Sequence, residues 1–343
     1  MNAASKHAFW EEKNEGFLAP HPSQDLLHPE VSKVEPGYGL TETQYLGFNL
    51  PEANLHGLAY IWYHPNLKTV TGGVYAWTGI KRHNFECELF DFVTYMNDDC
   101  LKNDLWDYQL ENSYHVQTIE PLKKHRIRYD DPARGNQFDI HYEAIMPPMV
   151  LSSGLHLEQA MRTTGTITLR GKPYQLNGTY TIRDRSWGAL RSERHTSCMP
   201  LAWMTGTLDE SFIFGCTAFD TPELSPDNHP GLIVPGGSTV KGGWVYQHGA
   251  MLPILTARKR VTRDPQTLIP QTIDMELTDS KGGTYAITGT VTAAANWRTW
   301  HNFETWICQV RWQYQGRTFY GDLQECHWSD FVRAAKASAA KPS

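Results

Sequence analysis

From Thr43 to Gln324 the chain is a succession of short runs in which apolar and β-branched residues alternate with polar ones. No other feature constrains the fold as tightly, because a period of two sends successive side chains to opposite faces of a sheet. In the first half the runs are Thr43–Asn49, Gly57–His64, Val70–Thr78, Glu86–Tyr95, Tyr114–Glu120, Gln137–Ile145, Gly165–Arg170 and Tyr174–Ile182. Gly72-Gly73, Asp130-Asp-Pro132 and Gly171-Lys-Pro173 punctuate them as turns. The second half continues with Met199–Thr207, Ser211–Asp220, Thr239–Gln247, Thr272–Leu277, Thr284–Thr292, Trp306–Tyr314 and Arg317–Gln324. Only the tail, Ser329–Ala340, is spaced as a helix, with Ser329 placed to cap it. Antiparallel strands at near-regular spacing predict an all-β protein built from barrels or sandwiches, not an α/β fold.

Two halves of similar length and style predict two such units: residues 37–182, then 183–343 with the short C-terminal helix. Residues 1–36 carry Pro and His without sustained periodicity. They read as an N-terminal extension wrapped on the body, with one short helix near Phe9–Phe17.

Charge and motifs then narrow the function. The net charge is −6 and the densest basic run is only Arg258-Lys-Arg260, which argues against nucleic acid as a partner. No window of about 18 apolar residues could span a membrane, and no apolar stretch near Met1 makes a signal peptide, so a cytoplasmic protein is expected. Six Cys, at 87, 100, 198, 216, 308 and 326, never form C-x-x-C and read as reduced thiols. There is no G-x-S-x-G, H-E-x-x-H, Walker loop or G-x-G-x-x-G, and His56 and His64 fall too far apart for a ligand pair. The expectation is no metal and no cofactor. Aromatics at 12% suit sheets and aromatic-lined cavities, so the expected partner is a hydrophobic small molecule.

Tyr180-Thr-Ile-Arg-Asp-Arg-Ser-Trp-Gly188 packs charge and an aromatic ring onto the end of a strand. Strand parity puts Tyr180, Ile182, Asp184 and Ser186 on one face and Thr181, Arg183, Arg185 and Trp187 on the other. Buried charge persists only when paired. The stretch is therefore either a structural joint or a site that Asp184 or Arg183 lends to a substrate, with Tyr180 and Trp187 beside it.

In Ser211-Phe-Ile-Phe-Gly-Cys-Thr-Ala-Phe-Asp220, the side chains of Phe212, Phe214, Cys216, Ala218 and Asp220 share a face. A carboxyl closing an apolar row would be desolvated and kept protonated as a general acid. The alternative is that Asp220 opens the turn Asp220-Thr-Pro-Glu223. His195 and Trp203 have matching parity upstream. His195 could position water, and Trp203 could offer a π-face to a cation or be a core residue. Glu42 and Glu158 are further carboxylates near strand ends.

The run His156-Leu-Glu-Gln-Ala-Met-Arg-Thr-Thr-Gly165, the hairpin to Tyr174 and Arg183-Asp-Arg-Ser-Trp-Gly188 resemble the double lipocalin-like proteins related to carotenoid 1,2-hydratase and AttH. Leu58-Ala-Tyr-Ile-Trp-Tyr-His-Pro-Asn66 and Gly72-Gly-Val-Tyr-Ala-Trp77 extend the likeness over roughly residues 37–325. The resemblance implies two consecutive lipocalin-like β domains, an apolar cavity between or within them, and cofactor-independent chemistry on hydrophobic molecules. It also implies a His-x-Trp pair on one strand and a Tyr-x-Asp pair on the next, with the Asp as proton donor. Leu201-Ala-Trp203 and Ala218-Phe-Asp220 match these in Trp203 and Asp220, while Leu201 replaces the His and Ala218 the Tyr. The expectation is an acid-catalysed hydratase, dehydratase, isomerase or cyclase for a terpenoid-like substrate. A carrier of an apolar ligand and a pericyclase of the Diels–Alder type are the alternatives.

Overall fold

The computed structural model describes residues 16–29, 40–190, 197–225, 229–297 and 303–339. They form two compact units, 17–78 with 87–190 and 79–86 with 197–339. Both are antiparallel β structures, as the alternation predicts. The helix expected near Phe9–Phe17 lies almost entirely outside the described residues.

The first unit contains β1 (Leu40–Leu50), β2 (Leu55–His64), β3 (Thr69–Thr78), β4 (Leu89–Asn97), β5 (Asp107–Gln109), β6 (His115–Glu120), β7 (Lys124–Asp131), β8 (Asn136–Ala144), β9 (Met149–Val150), β10 (His156–Leu169) and β11 (Lys172–Leu190). They join in one curled sheet in the order β4-β3-β2-β1-β11-β10-β8-β7-β6-β5, with β9 alongside β10. Leu46 and Phe48 of β1, Ile127 and Tyr129 of β7, Phe138 and Ile140 of β8 and Met161 of β10 fill its core face. From the N-terminal extension, Phe17 bridges to Leu151, and a 3-10 turn at Pro22–Asp25 buries Asp25 completely.

Tyr180–Gly188 lies wholly within β11, and the chain divides only after that strand. The boundary expected at 182/183 therefore falls later, and Arg183–Gly188 belongs to the first unit rather than opening the second. The physical reason is continuous pairing: β1 and β10 flank β11 along the whole stretch, from Leu46 opposite Arg183 to His156 opposite Ser186.

The second unit is a closed barrel of β12 (Leu201–Asp209), β13 (Phe212–Phe219), β14 (Val240–Gln247), β15 (Ala250–Arg263), β16 (Pro270–Asp279), β17 (Thr284–Trp297), β18 (Phe303–Tyr314) and β19 (Arg317–Trp328). The helix α1 (Ser329–Ala339) follows β19 directly. Aromatic rings occupy one end of the barrel interior. Phe212 stacks on Tyr314 with ring centroids 4.6 Å apart, and Phe214 meets Trp312 edge-on at 5.5 Å. Gly206 and Gly289 make room for Trp312, since a Cβ at either would lie within 3.0 Å of its indole ring. Phe212 and Phe214, the residues expected to bind substrate, lie in this buried barrel cluster.

Barrel closure depends on one close approach between β12 and β19. The Thr205 carbonyl accepts the Trp312 indole N–H at 2.9 Å, and a Cβ at Gly321 would sit 1.9 Å from that same oxygen. Gly321→Ala should therefore destabilise the protein by about 3 kcal/mol, the upper part of the range for overpacked cores. Urea denaturation of both forms measures the difference, and an unchanged midpoint would show that the strands can part freely.

Four strands escaped the sequence pattern, the short β5 and β9 and the longer β7 and β15. β7 carries Lys, His and Arg among its apolar residues, and β15 carries Lys259 and Arg263 on its inward face beside Ala257 and Val261. Inward cations erase the alternation that marks a strand.

Candidate active site

The two faces of β11 do different things. Arg183, Arg185 and Trp187 point to the core face of the first unit and are all buried. Arg183 donates to Asp25 at 2.5 and 3.3 Å and to Gln159 at 2.8 Å. The backbone N–H of Leu122 also donates to Asp25, whose carboxylate lies 3.5 Å from His125. Burial alone would raise the Asp25 pKa, but the Arg183 and His125 charges outweigh it and hold the carboxyl at about 2. Arg185 donates to Glu42 at 3.1 Å and to the carbonyls of Thr43 and Leu26. His28 stacks flat on Trp187, with centroids 4.1 Å apart, and its backbone N–H donates to Glu42. Arg183, Trp187 and Glu42 therefore fasten the N-terminal extension to the sheet, at the positions where Arg183 and Trp187 are expected to meet a substrate.

The opposite face of the same strands gathers acid–base groups. His156 faces Ser186 and Glu158 faces Asp184 across the β10–β11 ladder. The His156 ring lies 2.7 Å from Ser186 Oγ through Nδ1 and 3.3 Å from Glu158 Oε1 through Nε2. His156, Glu158 and Ser186 are buried, whereas Asp184 is half-buried. The ladder continues into an aromatic wall: Thr43 and Tyr45 of β1 lie beside Ser186 and Asp184, and Trp62 and Tyr60 of β2 lie beside those. Tyr180 sits farther along β11, half-buried under Arg162. Acid–base side chains, a desolvated surrounding and flat apolar surface come together here.

In the barrel, Asp220 is buried as expected but is not alone. Lys259 Nζ lies 2.7 Å from one carboxylate oxygen and Arg263 donates to the other at 2.6 Å. Arg263 also donates to Glu325 at 2.5 and 3.3 Å, and His327 lies 3.0 Å from Glu325. Burial would raise the Glu325 pKa, but Arg263 and His327 hold its carboxyl well below the usual range. Phe331 of α1 lies over this cluster, its ring 5.2 Å from the Arg263 guanidinium and 5.0 Å from His327. Both oxygens of Asp220 are engaged by cations, so the isolated acid expected from the apolar row becomes an ion-paired anchor.

Trp203 does not join it. Paired with Thr217, it turns to the outer side of the barrel and packs near Met199, Leu201, Phe219 and Trp328. Alternation along β12 separates it from the inward Ala202, Ala218 and Asp220. His195 lies outside the described residues. The residues the sequence did not connect are His156, Ser186, Lys259, Arg263, Glu325 and His327. Shared parity of His156 with Glu158 was the available signal for the first. Among the described residues, no group of three or more His, Cys, Asp or Glu side chains is placed to hold a metal ion. Among the described residues, no helix is long and apolar enough to cross a membrane.

Comparison with known proteins follows this architecture. The structure of a candidate AttH from Nitrosomonas europaea superposes with a TM-score of 0.61 at 11% identity, covering 92% of this chain and 98% of that one. Kievitone hydratase from Nectria haematococca superposes with a TM-score of 0.53 at 11% identity, covering 95% and 99%. The chain shares the double lipocalin-like fold of these two structures. No curated protein matches the sequence. A family model described only as a domain of unknown function, DUF7064, matches residues 23–330, and the chain belongs to that family.

Proposed function

We propose that this protein is a hydratase-type enzyme that moves protons on a hydrophobic, terpenoid-like alkene or its alcohol without a cofactor. The observation that carries the reading is the placement of His156, Glu158 and Asp184 on one sheet face beside Tyr45, Tyr60 and Trp62. In the hydration direction Asp184 protonates an alkene carbon. The adjacent aromatic faces stabilise the resulting carbocation. His156, oriented by Glu158, takes a proton from the water that adds to it. Dehydration runs the same steps in reverse. The shared fold with kievitone hydratase supports the reaction class and leaves the substrate open.

Asp184→Asn keeps the shape of the side chain and removes its proton. It should lower turnover by at least about a hundredfold, as loss of a general acid does. The assay is incorporation of ¹⁸O from labelled water into a panel of hydrophobic alkenes, followed by mass spectrometry. Full turnover in both Asp184→Asn and His156→Gln would remove acid–base catalysis from this face, and conversion of the panel without ¹⁸O incorporation would leave a pericyclase. Tight binding of the panel with no product from the unaltered protein would leave a carrier.

A further inference from the structure

We infer that Ser186 is a nucleophile, so that the same sheet face can cleave carboxylic esters of apolar acids or alcohols. A serine becomes nucleophilic when a base takes its proton and a third group fixes the base. Glu158 accepts from His156 at Nε2, which leaves Nδ1 as the acceptor, and Nδ1 lies 2.7 Å from Ser186 Oγ. The order carboxylate, imidazole, hydroxyl is that of a Ser-His-Glu triad with the two ring nitrogens exchanged, since Nδ1 rather than Nε2 faces the serine. All three side chains are less than 10% exposed, so bulk water does not compete for these hydrogen bonds. Two long paired strands, β10 and β11, hold them in place.

The step balances with water as the only co-reactant. Ser186 Oγ attacks the ester carbonyl as its proton passes to His156, and His156 returns that proton to the departing alcohol. Water then cleaves the acyl-serine by the same route and releases the acid. Thr43 follows Ser186 in the same cross-strand row, and Trp62 follows Thr43. Tyr45 and Tyr60, one row along, set the preference for apolar ester groups.

The inference shares His156 and Glu158 with the hydration reading, but its test reads a covalent bond and needs no hydration. The full chain is treated with diisopropyl fluorophosphate, in which Ser186 Oγ would displace fluoride from phosphorus. Intact and peptide mass spectrometry should find one adduct per chain, on Ser186, and the protein should hydrolyse p-nitrophenyl butyrate. Ser186→Ala should abolish the adduct and reduce esterolysis at least about a hundredfold, with circular dichroism confirming the fold. If that variant does not fold, Ser186→Cys supplies a second test, a thiol that accumulates the acyl-enzyme. No adduct on the unaltered protein, an adduct elsewhere, or esterolysis that survives Ser186→Ala overturns the inference. Hydration without an adduct overturns it alone, and an adduct without hydration overturns only the hydratase reading.

Discussion

Asp220→Ala should lower the free energy of unfolding by about 3–5 kcal/mol, the cost of removing one partner from a buried ion pair. The substitution leaves the Lys259 ammonium and much of the Arg263 charge inside the barrel, where both side chains are almost fully inaccessible. Glu325 can compensate for only one of the two cations, and it is already shared with His327. Asp220→Asn keeps the volume and loses the charge, so it should show much of the same deficit, separating charge from cavity formation. Urea denaturation followed by tryptophan fluorescence measures both. Hydration per folded molecule should be unchanged in either variant, because Asp184 and His156 lie on a different sheet. Loss of turnover at full stability would return the acid to Asp220 and refute its assignment as an anchor.

Asp25→Ala should cost the first unit a similar amount, about 3–5 kcal/mol, by leaving the Arg183 guanidinium buried and uncompensated. The pair also sets an acid limit on stability. Asp25 has a folded pKa of about 2 against an ordinary 3.8, so its contribution is fully present above pH 3.8 and is lost as the pH falls toward 2. That contribution is on the order of 2 kcal/mol, at 1.36 kcal/mol per pKa unit. His125 and His56 act at higher pH. Burial lowers both to about 3, so each starts to disfavour the folded state as the pH falls through 6.5. Unfolding free energy should thus decline from pH 6.5 downward, with a further loss below about pH 4 that Asp25→Asn removes. A flat profile from pH 7 to 3 would contradict these burials.

Most strands and the helix at Ser329 were legible because alternation is a local property, while the lipocalin-like architecture was implied only by the family resemblance. Each run needs only its own residues to declare which side chains share a face. Even the split personality of Tyr180–Gly188, with Asp184 and Ser186 on one side and Arg183, Arg185 and Trp187 on the other, follows from parity alone. The acid–base face was harder. Counting back from the hairpin turn, where Leu169 pairs with Lys172, would set His156 opposite Arg185. Gly178, at φ +85°, inserts one extra residue as a bulge and shifts the register, so His156 meets Ser186 and Glu158 meets Asp184. A one-residue slip exchanges the faces, and no pattern within either strand announces it.

Sequence by itself thus determined the class of fold, the faces of its strands and the residues on each. Tertiary structure decided what the charged residues are for. Arg183 meets Asp25 across 158 positions, and Asp220 meets Lys259, Arg263 and, through Arg263, Glu325 from two other strands. Periodicity is set by the geometry of one strand, whereas a buried charge is defined by its partners. Those partners arrive only when the sheet curls and the barrel closes, which is why Asp220 reads as an acid in the sequence and as an anchor in the fold.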